Sequence, residues 1–471
     1  MNKILFIKDI KLLLKDLKFQ IFFLILVALF ILSAISSAVT YQNQLEEFQT
    51  SLNYHSEIIN DGQSTQLINM LSSGYILNVN SRPSPALLFN SYDTFPDKIQ
   101  SGVVFYTPEF GNFGSERKEV FRLNWFFILG ILSGFIMLIM SFEAISQEKR
   151  AGTLRLVSIY GFKRQAILWH KYLSYMLLYM IIIVPPALIS MVLFFALTGT
   201  WTVAFMLKFF LILLISLPFA SFFVLLGIFI SMSKNYRNAV VQIVFIWLLF
   251  VIIIPQSANI IAKQLSPVKT TIEYSSIENQ AWNDEWNIWG DEYTHQVRGN
   301  GSIQDGLRAK AVYASDEKRN LMHQKELDDY KRQTLLIQNI SSVSPFTQFE
   351  RISEIVFDKG FYLFNFQQET AKRTINQIRN LMIEQDARDE TSLNLFYSWA
   401  SGDGGNIQHY GMTTFSTNLF EYPDMLFVTE IITDDAVFKT VKFLLRLLPI
   451  LIFNVVLVLL SVFKLEKLDI R

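Results

Sequence analysis

Within one short stretch of this chain, Glu143, Glu148, Arg150, Gly152, Thr153, Leu154, Arg155, Arg164 and Lys171 bring together acids, bases, a turn residue and an apolar anchor. The segment QEKRAGTLRLVSIYGFKRQ, Gln147 to Gln165, carries Lys149, Arg150, Arg155, Lys163 and Arg164 against the single acid Glu148. It contains no nucleophile paired with a base, so covalent chemistry is not what these types suit. A short basic helix tied at both ends to membrane-embedded runs suits passing a push from a cytoplasmic partner into those two spans.

Other chemistries find little support in the sequence. The phosphate loop GxxxxGK[ST] does not occur, so ATP used by this protein must be bound by another polypeptide. No GxSxG elbow is present. His55, His295, His323 and His409 are scattered, with no ligand-like spacing, and no metal is expected. The chain has no Cys, which excludes disulfides and thiolate sites. Asp403 lies in the glycine-rich SGDGGN, a flexible loop rather than a cation loop, because one carboxylate is too few.

Charge placement is more informative than total charge, since 41 basic side chains balance 41 acidic ones. A hydrocarbon core of about 30 Å needs roughly 20 helical residues. Six stretches meet that need: residues 19–40, 123–145, 171–198, 204–231, 239–261 and 441–463. The short segments 1–18, 146–171, 232–238 and 464–471 hold 16 basic residues, whereas the opposite segments hold 23 basic against 35 acidic ones. Positive flanks stay inside, so both termini are expected in the cytoplasm and the chain in the bacterial inner membrane. The first span, too long for a cleaved signal, is expected to be a retained anchor. Glu143, Lys208, Arg446 and Lys171 all lie near span ends, which disfavours ion-coupled transport.

The flanking segments have their own patterns. In residues 1–18, Phe6, Ile10, Leu13 and Leu17 share one helical face opposite Lys8, Lys11, Lys15 and Lys18, which predicts an interfacial helix toward anionic lipid. Residues 41–122 read as a small external element with some β-structure, including a strand at Gly102 to Tyr106. Residues 262–440 predict a larger external domain, mainly helical: Asp305 to Ile340 is one long helix, and Phe346 to Phe357 and Tyr362 to Leu395 are two more after a break at Pro345. These helices are expected to stand off the membrane. Trp282, Trp286 and Trp289 fall at offsets 0, 4 and 7, forming an aromatic stripe that packs inside the domain or serves as an external binding platform. Pro185-Pro186 should perturb the third span.

The run Leu123 to Met176 resembles the signature region of ABC-2 type transporter permeases. In that family an apolar span leads into Glu, Gly-Thr-Leu, a basic residue and a Lys that opens the next span, matched here by Glu148, Gly152, Thr153, Leu154, Arg164 and Lys171. SPFTQFERIS, Ser344 to Ser353, resembles a segment of the branch with large external domains, similar to gliding-motility and copper-enzyme-maturation permeases. The resemblance implies an α-helical polytopic fold with six transmembrane helices, an N-terminal connecting helix (1–18), a coupling helix region (146–170), a first external insertion (41–122), a large external domain (262–440) and a cytoplasmic tail (464–471). It implies that Glu148, Arg150, Gly152, Thr153, Leu154, Arg155 and Arg164 couple to a separate ABC ATPase present in two copies, with Glu143 and Lys171 bracing. ATP and Mg would be held by that partner and no cofactor by this chain. A second permease chain, identical or not, membrane lipid and envelope proteins complete the expected partners, with no nucleic acid. The function implied is the permease subunit of an exporter; the alternative is an envelope assembly or force-transmitting protein that translocates nothing.

Overall fold

The computed structural model describes residues 3–62, 66–67, 76–80, 98–102, 109–110, 123–154, 164–233, 236–296, 301–357, 360–394, 415–421 and 436–467. Helix α1 (Lys3–Lys15) ends where Asp16 starts another helix. The Asp16 carboxylate accepts the Lys18 N–H at 3.0 Å and its carbonyl accepts the Gln20 N–H at 3.2 Å, so Asp16 caps α2 (Leu17–Gly62). With 46 residues, α2 extends about 69 Å at 1.5 Å per residue, more than twice the hydrocarbon thickness. It therefore runs well past Thr40, and the segment expected outside the membrane, residues 41–122, begins as helix.

That segment also contains an antiparallel sheet in the order β1-β2-β3, formed by β1 (Ile76–Asn80), β2 (Lys98–Gly102) and β3 (Glu109–Phe110). Val79 pairs with Ile99, and Gln100 with Glu109. Of the strand expected at Gly102 to Tyr106, Gly102 belongs to β2 and residues 103–106 lie outside the described residues.

Among the described residues, six helices are long and apolar enough to cross a membrane: Leu17–Thr50, Phe127–Arg150, Arg164–Thr198, Val203–Ser231, Ala239–Leu265 and Leu445–Glu466. The protein is thus a helical, multi-pass membrane protein. Spans 2 and 4 form the interior, each with 72% of its most apolar window buried, whereas spans 5 and 6 are only 17% buried and turn outward. The close crossing of spans 2 and 4 depends on a missing side chain: a Cβ on Gly227 would collide with Ser141 Oγ and lie 3.2 Å from the Leu138 carbonyl. The elements concerned are α3 (Ser133–Ser141) and α4 (Ser146–Arg150) in span 2, α5 (Arg164–Thr198) as span 3, and α6 (Val203–Ser231) as span 4. Helix α5 passes through both Pro185 and Pro186.

Span 5 comprises α7 (Tyr236–Leu248), a π-helical turn (Leu249–Ile253) and α8 (Ile254–Leu265); span 2 has a matching π turn at Phe127–Leu132. A π turn leaves carbonyls without their usual helical partners, and inside a membrane they must be satisfied by side chains. Trp247 Nε1 donates to the Ile131 carbonyl at 3.3 Å, and Ser344 Oγ donates to the Phe250 carbonyl at 2.5 Å.

Beyond span 5, Thr270 and Glu273 form a reciprocal cap that starts α9 (Thr271–Gln296). This helix packs against α10 (Gly301–Ile340) as an antiparallel hairpin, tied by Tyr274 Oη to Asp329 at 3.0 Å and by Gln333 to the Ser266 carbonyl at 2.7 Å. Helix α11 (Pro345–Phe357) differs from the expectation that this whole segment stands off the membrane. Phe346, Phe349, Ile352, Val356 and Phe357 belong to the same core as the spans. Phe349 stacks on Phe219 of span 4 at 4.7 Å, and Phe346 meets Phe126 at 5.5 Å. Its polar side chains are spent on backbone: buried Arg351 donates to the Gln338 carbonyl and, at 2.7 Å, to Ser341 Oγ, closing the end of α10.

Helix α12 (Gly360–Ala387) lies against β1 and β2 and stops before the expected Leu395. Side chains compete with the helix there: Asp386 accepts the Ser392 hydroxyl at 2.5 Å and the Ser416 N–H at 2.8 Å, while Asp389 accepts the Thr391 N–H at 2.9 Å. The chain closes with α13 (Ala436–Glu466), which includes span 6.

Ser344 supplies the hydroxyl that satisfies the π-turn carbonyl of Phe250 and precedes Pro345 at the start of α11. Ser344→Ala should destabilise the purified protein by about 1–3 kcal/mol, the cost of a buried unpaired carbonyl, while Ser344→Thr retains most of the stability. Thermal unfolding in nanodiscs measures both.

Candidate coupling interface

After α3 ends at Ser141, buried Phe142, Ala144 and Ile145 hold a short turn in the core, and the chain re-emerges as α4. Three successive residues then do separate jobs. Gly152 adopts φ +70°, the left-handed conformation that ends a helix, with its N–H bonded to the Lys149 carbonyl at 3.2 Å. Nothing lies within 4 Å of a Cβ placed there, so conformation rather than space favours glycine. Thr153 Oγ1 donates to the Glu148 carbonyl at 3.2 Å, satisfying a group the terminating helix leaves open. Leu154, 1% exposed, is buried in the core of this same chain. Gly-Thr-Leu is therefore a stop, a carbonyl partner and an anchor. Gln147, Lys149, Arg150, Ala151 and Gly152 are left exposed as one small basic knob.

Electrostatic contacts hold the knob in place. The Lys171 ammonium on α5 pairs with Glu148 and, at 3.2 Å, with Asp9 of α1; the three side chains are 13%, 25% and 17% exposed. One cation thus joins the N-terminal helix, α4 and span 3. Glu143 accepts a hydrogen bond from Lys18 Nζ at 2.8 Å, joining the end of span 2 to the beginning of span 1. Arg164, the first residue of α5, donates to the Leu465 carbonyl at 3.1 Å and the Glu466 carbonyl at 2.5 Å. These contacts bring the two terminal helices to one end of the bundle.

Of the residues singled out in the sequence, Glu143, Glu148, Arg150, Gly152, Thr153, Leu154, Arg164 and Lys171 meet at this end. Arg155 lies outside the described residues, as do positions 156–163. Trp282, Trp286 and Trp289 lie on α9, a helix as their spacing requires; their side chains are outside the description. Among the described residues no group of His, Asp and Glu is arranged to hold a metal ion.

The pattern that defines the family described as ABC-2 family transporter protein matches residues 4–363. The chain belongs to that family. It is a membrane subunit of an ABC transporter, and the family implies an ABC ATPase subunit as partner. No curated protein and no solved structure matched it. In this ABC-2 protein, sequence reasoning had assigned the lysines of residues 1–18 to lipid and passed over Asp9. The signal was present: Asp9 and Asp16 are the only acids in an otherwise basic stretch. One became an ion partner and the other a helix cap.

Lys171→Met leaves Asp9 and Glu148 facing each other without their shared cation. It should destabilise the protein by about 1–3 kcal/mol, less than a fully buried pair would cost because all three groups retain some water. Adding Glu148→Gln removes the repulsion and should recover more than half of the loss in a thermal unfolding series. A double variant no more stable than Lys171→Met would show that the ion triad is not what Lys171 contributes.

Proposed function

We propose that this chain is the permease subunit of an ATP-driven exporter in the bacterial inner membrane, with the basic knob and both termini in the cytoplasm. Two permease chains enclose a path, and two copies of a separate ATPase hold ATP and Mg. Closure of the ATPases on nucleotide pushes the knobs and biases the spans between inward-open and outward-open arrangements, as any coupled ligand must. The observation that carries this reading is the division of labour around Gly152. Leu154, Thr153 and Glu148 fix the turn to its own bundle, while the basic side chains of Lys149 and Arg150 are exposed beside Ala151. The charge distribution supports the orientation, because the end with the knob carries the basic flanks. The α1 lysines then face the anionic inner leaflet.

A second reading, conformational work on envelope partners without translocation, is favoured by one observation. Helix α11 belongs to the external segment yet packs among spans 2 and 4, so a movement of the bundle passes into external helices without an intervening linker. The external domain serves as gate or cargo receptor under the first reading and as the output lever under the second.

Charge reversal on the exposed turn, Lys149→Glu with Ala151→Glu, tests the docking role. Affinity purification of the unmodified chain should bring down an ABC ATPase with MgATP hydrolysis in the eluate. The double variant should lose at least ten-fold of that hydrolysis while its unfolding temperature stays unchanged. Equal ATPase recovery from both chains would remove the knob from the docking surface.

A further inference from the structure

The sequence pattern groups Arg164 with the residues that meet the ATPase, but its guanidinium is occupied elsewhere. It lies at the first position of α5 and donates to the last carbonyls of α13, on Leu465 and Glu466. Beside it, Gln165 Nε2 donates to the Glu466 carboxylate at 3.2 Å. Two residues before Glu466 on α13, Lys464 Nζ donates to the Phe229 carbonyl at 2.8 Å and lies 4.0 Å from the centre of the Phe229 ring, near the end of α6. Each contact places a cation against the carbonyl end of a neighbouring helix, where the exposed C=O groups and the helix dipole attract positive charge. Farther along the same pair of helices, Asn454 of α13 donates to the Pro218 carbonyl of α6 at 2.8 Å.

We infer that Arg164 and Lys464 are positioning residues forming a relay, span 3 to span 6 to span 4, that carries displacement of the coupling segment into the two spans packed around α11. This rests on the proposed coupling role of the knob. The physical basis is that the coupling segment is tied at its beginning by Glu148 to Lys171 and at its end by Arg164 to α13, so a push on the knob reaches α13 without passing along the length of α5. Span 6 packs on α6 and also directly on α11, and Arg446 near its other end donates to the Gln338 side chain of α10 at 3.3 Å, so its displacement reaches α11 directly as well as through span 4. Span 4, at 72% buried, then transmits the movement to Phe349 through Phe219.

The chain has no Cys, so an engineered pair is the only thiol pair in it. The test uses the full chain with its co-purified ATPase in nanodiscs and reads hydrogen exchange along α13 and α6 with and without MgATP and orthovanadate. Arg164→Ala should retain the ATPase but reduce the nucleotide-dependent exchange change in α13 and α6 at least two-fold. Bridging Gln165→Cys to Glu466→Cys in the Arg164→Ala background with a short bis-maleimide, which adds both thiols across its two double bonds, should restore that change, since the bridge replaces the link and no ATPase contact. Loss of the ATPase that the bridge does not restore would make Arg164 a docking residue and overturn the relay. Retention of both ATPase and exchange response in Arg164→Ala would overturn it as well. An unmodified chain that brings down no ATPase would overturn the coupling reading and the relay together, which separates that failure from the other two.

Discussion

Everything at the functional end of this molecule depends on one ammonium group shared by two carboxylates. Lys171 neutralises Asp9 from α1 and Glu148 from α4 at a point where none of the three is more than a quarter exposed. Opposite unit charges about 4 Å apart interact by roughly 4 kcal/mol at an effective dielectric constant of 20, before the cost of removing each from water. The net gain is smaller, but the geometric consequence is large. Three elements distant in sequence are fixed to one point, and α4 cannot shift without α1 and span 3. Helix α1 and the exposed turn after α4 therefore form one mechanical unit.

The remaining architecture extends that rigidity toward the other end. Span 4 passes span 2 at backbone distance because Gly227 has no side chain, and α11 inserts its aromatic face beside them. Two π turns in spans 2 and 5 expose carbonyls that a regular helix would hide, and Trp247 and Ser344 bond them across the bundle. Such turns are tolerated in a membrane interior only with side-chain partners, so these two hydroxyl and indole donors are conditions for the fold. Helix α11 and the helices joined to it are thereby continuous in packing with the spans.

Much of this was legible in the sequence, for reasons that differ by element. Six apolar runs and the asymmetry of Lys and Arg gave the spans, because burial in hydrocarbon requires length and composition alone. Helix α10 was visible from its formers and charges, and its end from Pro345. The wedge of α11 was not: Phe346, Phe349 and Ile352 give the same amphipathic pattern whether the apolar face meets other external helices or the membrane bundle. The early stop of α12 was hidden because Asp386 and Asp389 act through partners at Ser392 and Ser416 that only folding brings near. At the knob, Gly-Thr-Leu could be recognised but its physics could not. Nothing in the sequence distinguishes a leucine buried in its own chain from one offered to a partner, and Leu154 is the former. Likewise Arg164 was legible as basic, while its carbonyl acceptors lie some three hundred residues away, at the end of α13.

The most direct test of the central claim, that the exposed turn beside Glu148 receives the ATPase while its neighbours hold it in place, is site-specific photo-crosslinking in cells. A benzophenone side chain at Ala151, which is exposed, is compared with one at Leu154, which is buried. The account predicts a crosslinked product at Ala151 that mass spectrometry identifies as this chain joined to an ABC ATPase, and no such product at Leu154. A crosslink to an ATPase at neither position, with the protein folded and in the membrane, would contradict it.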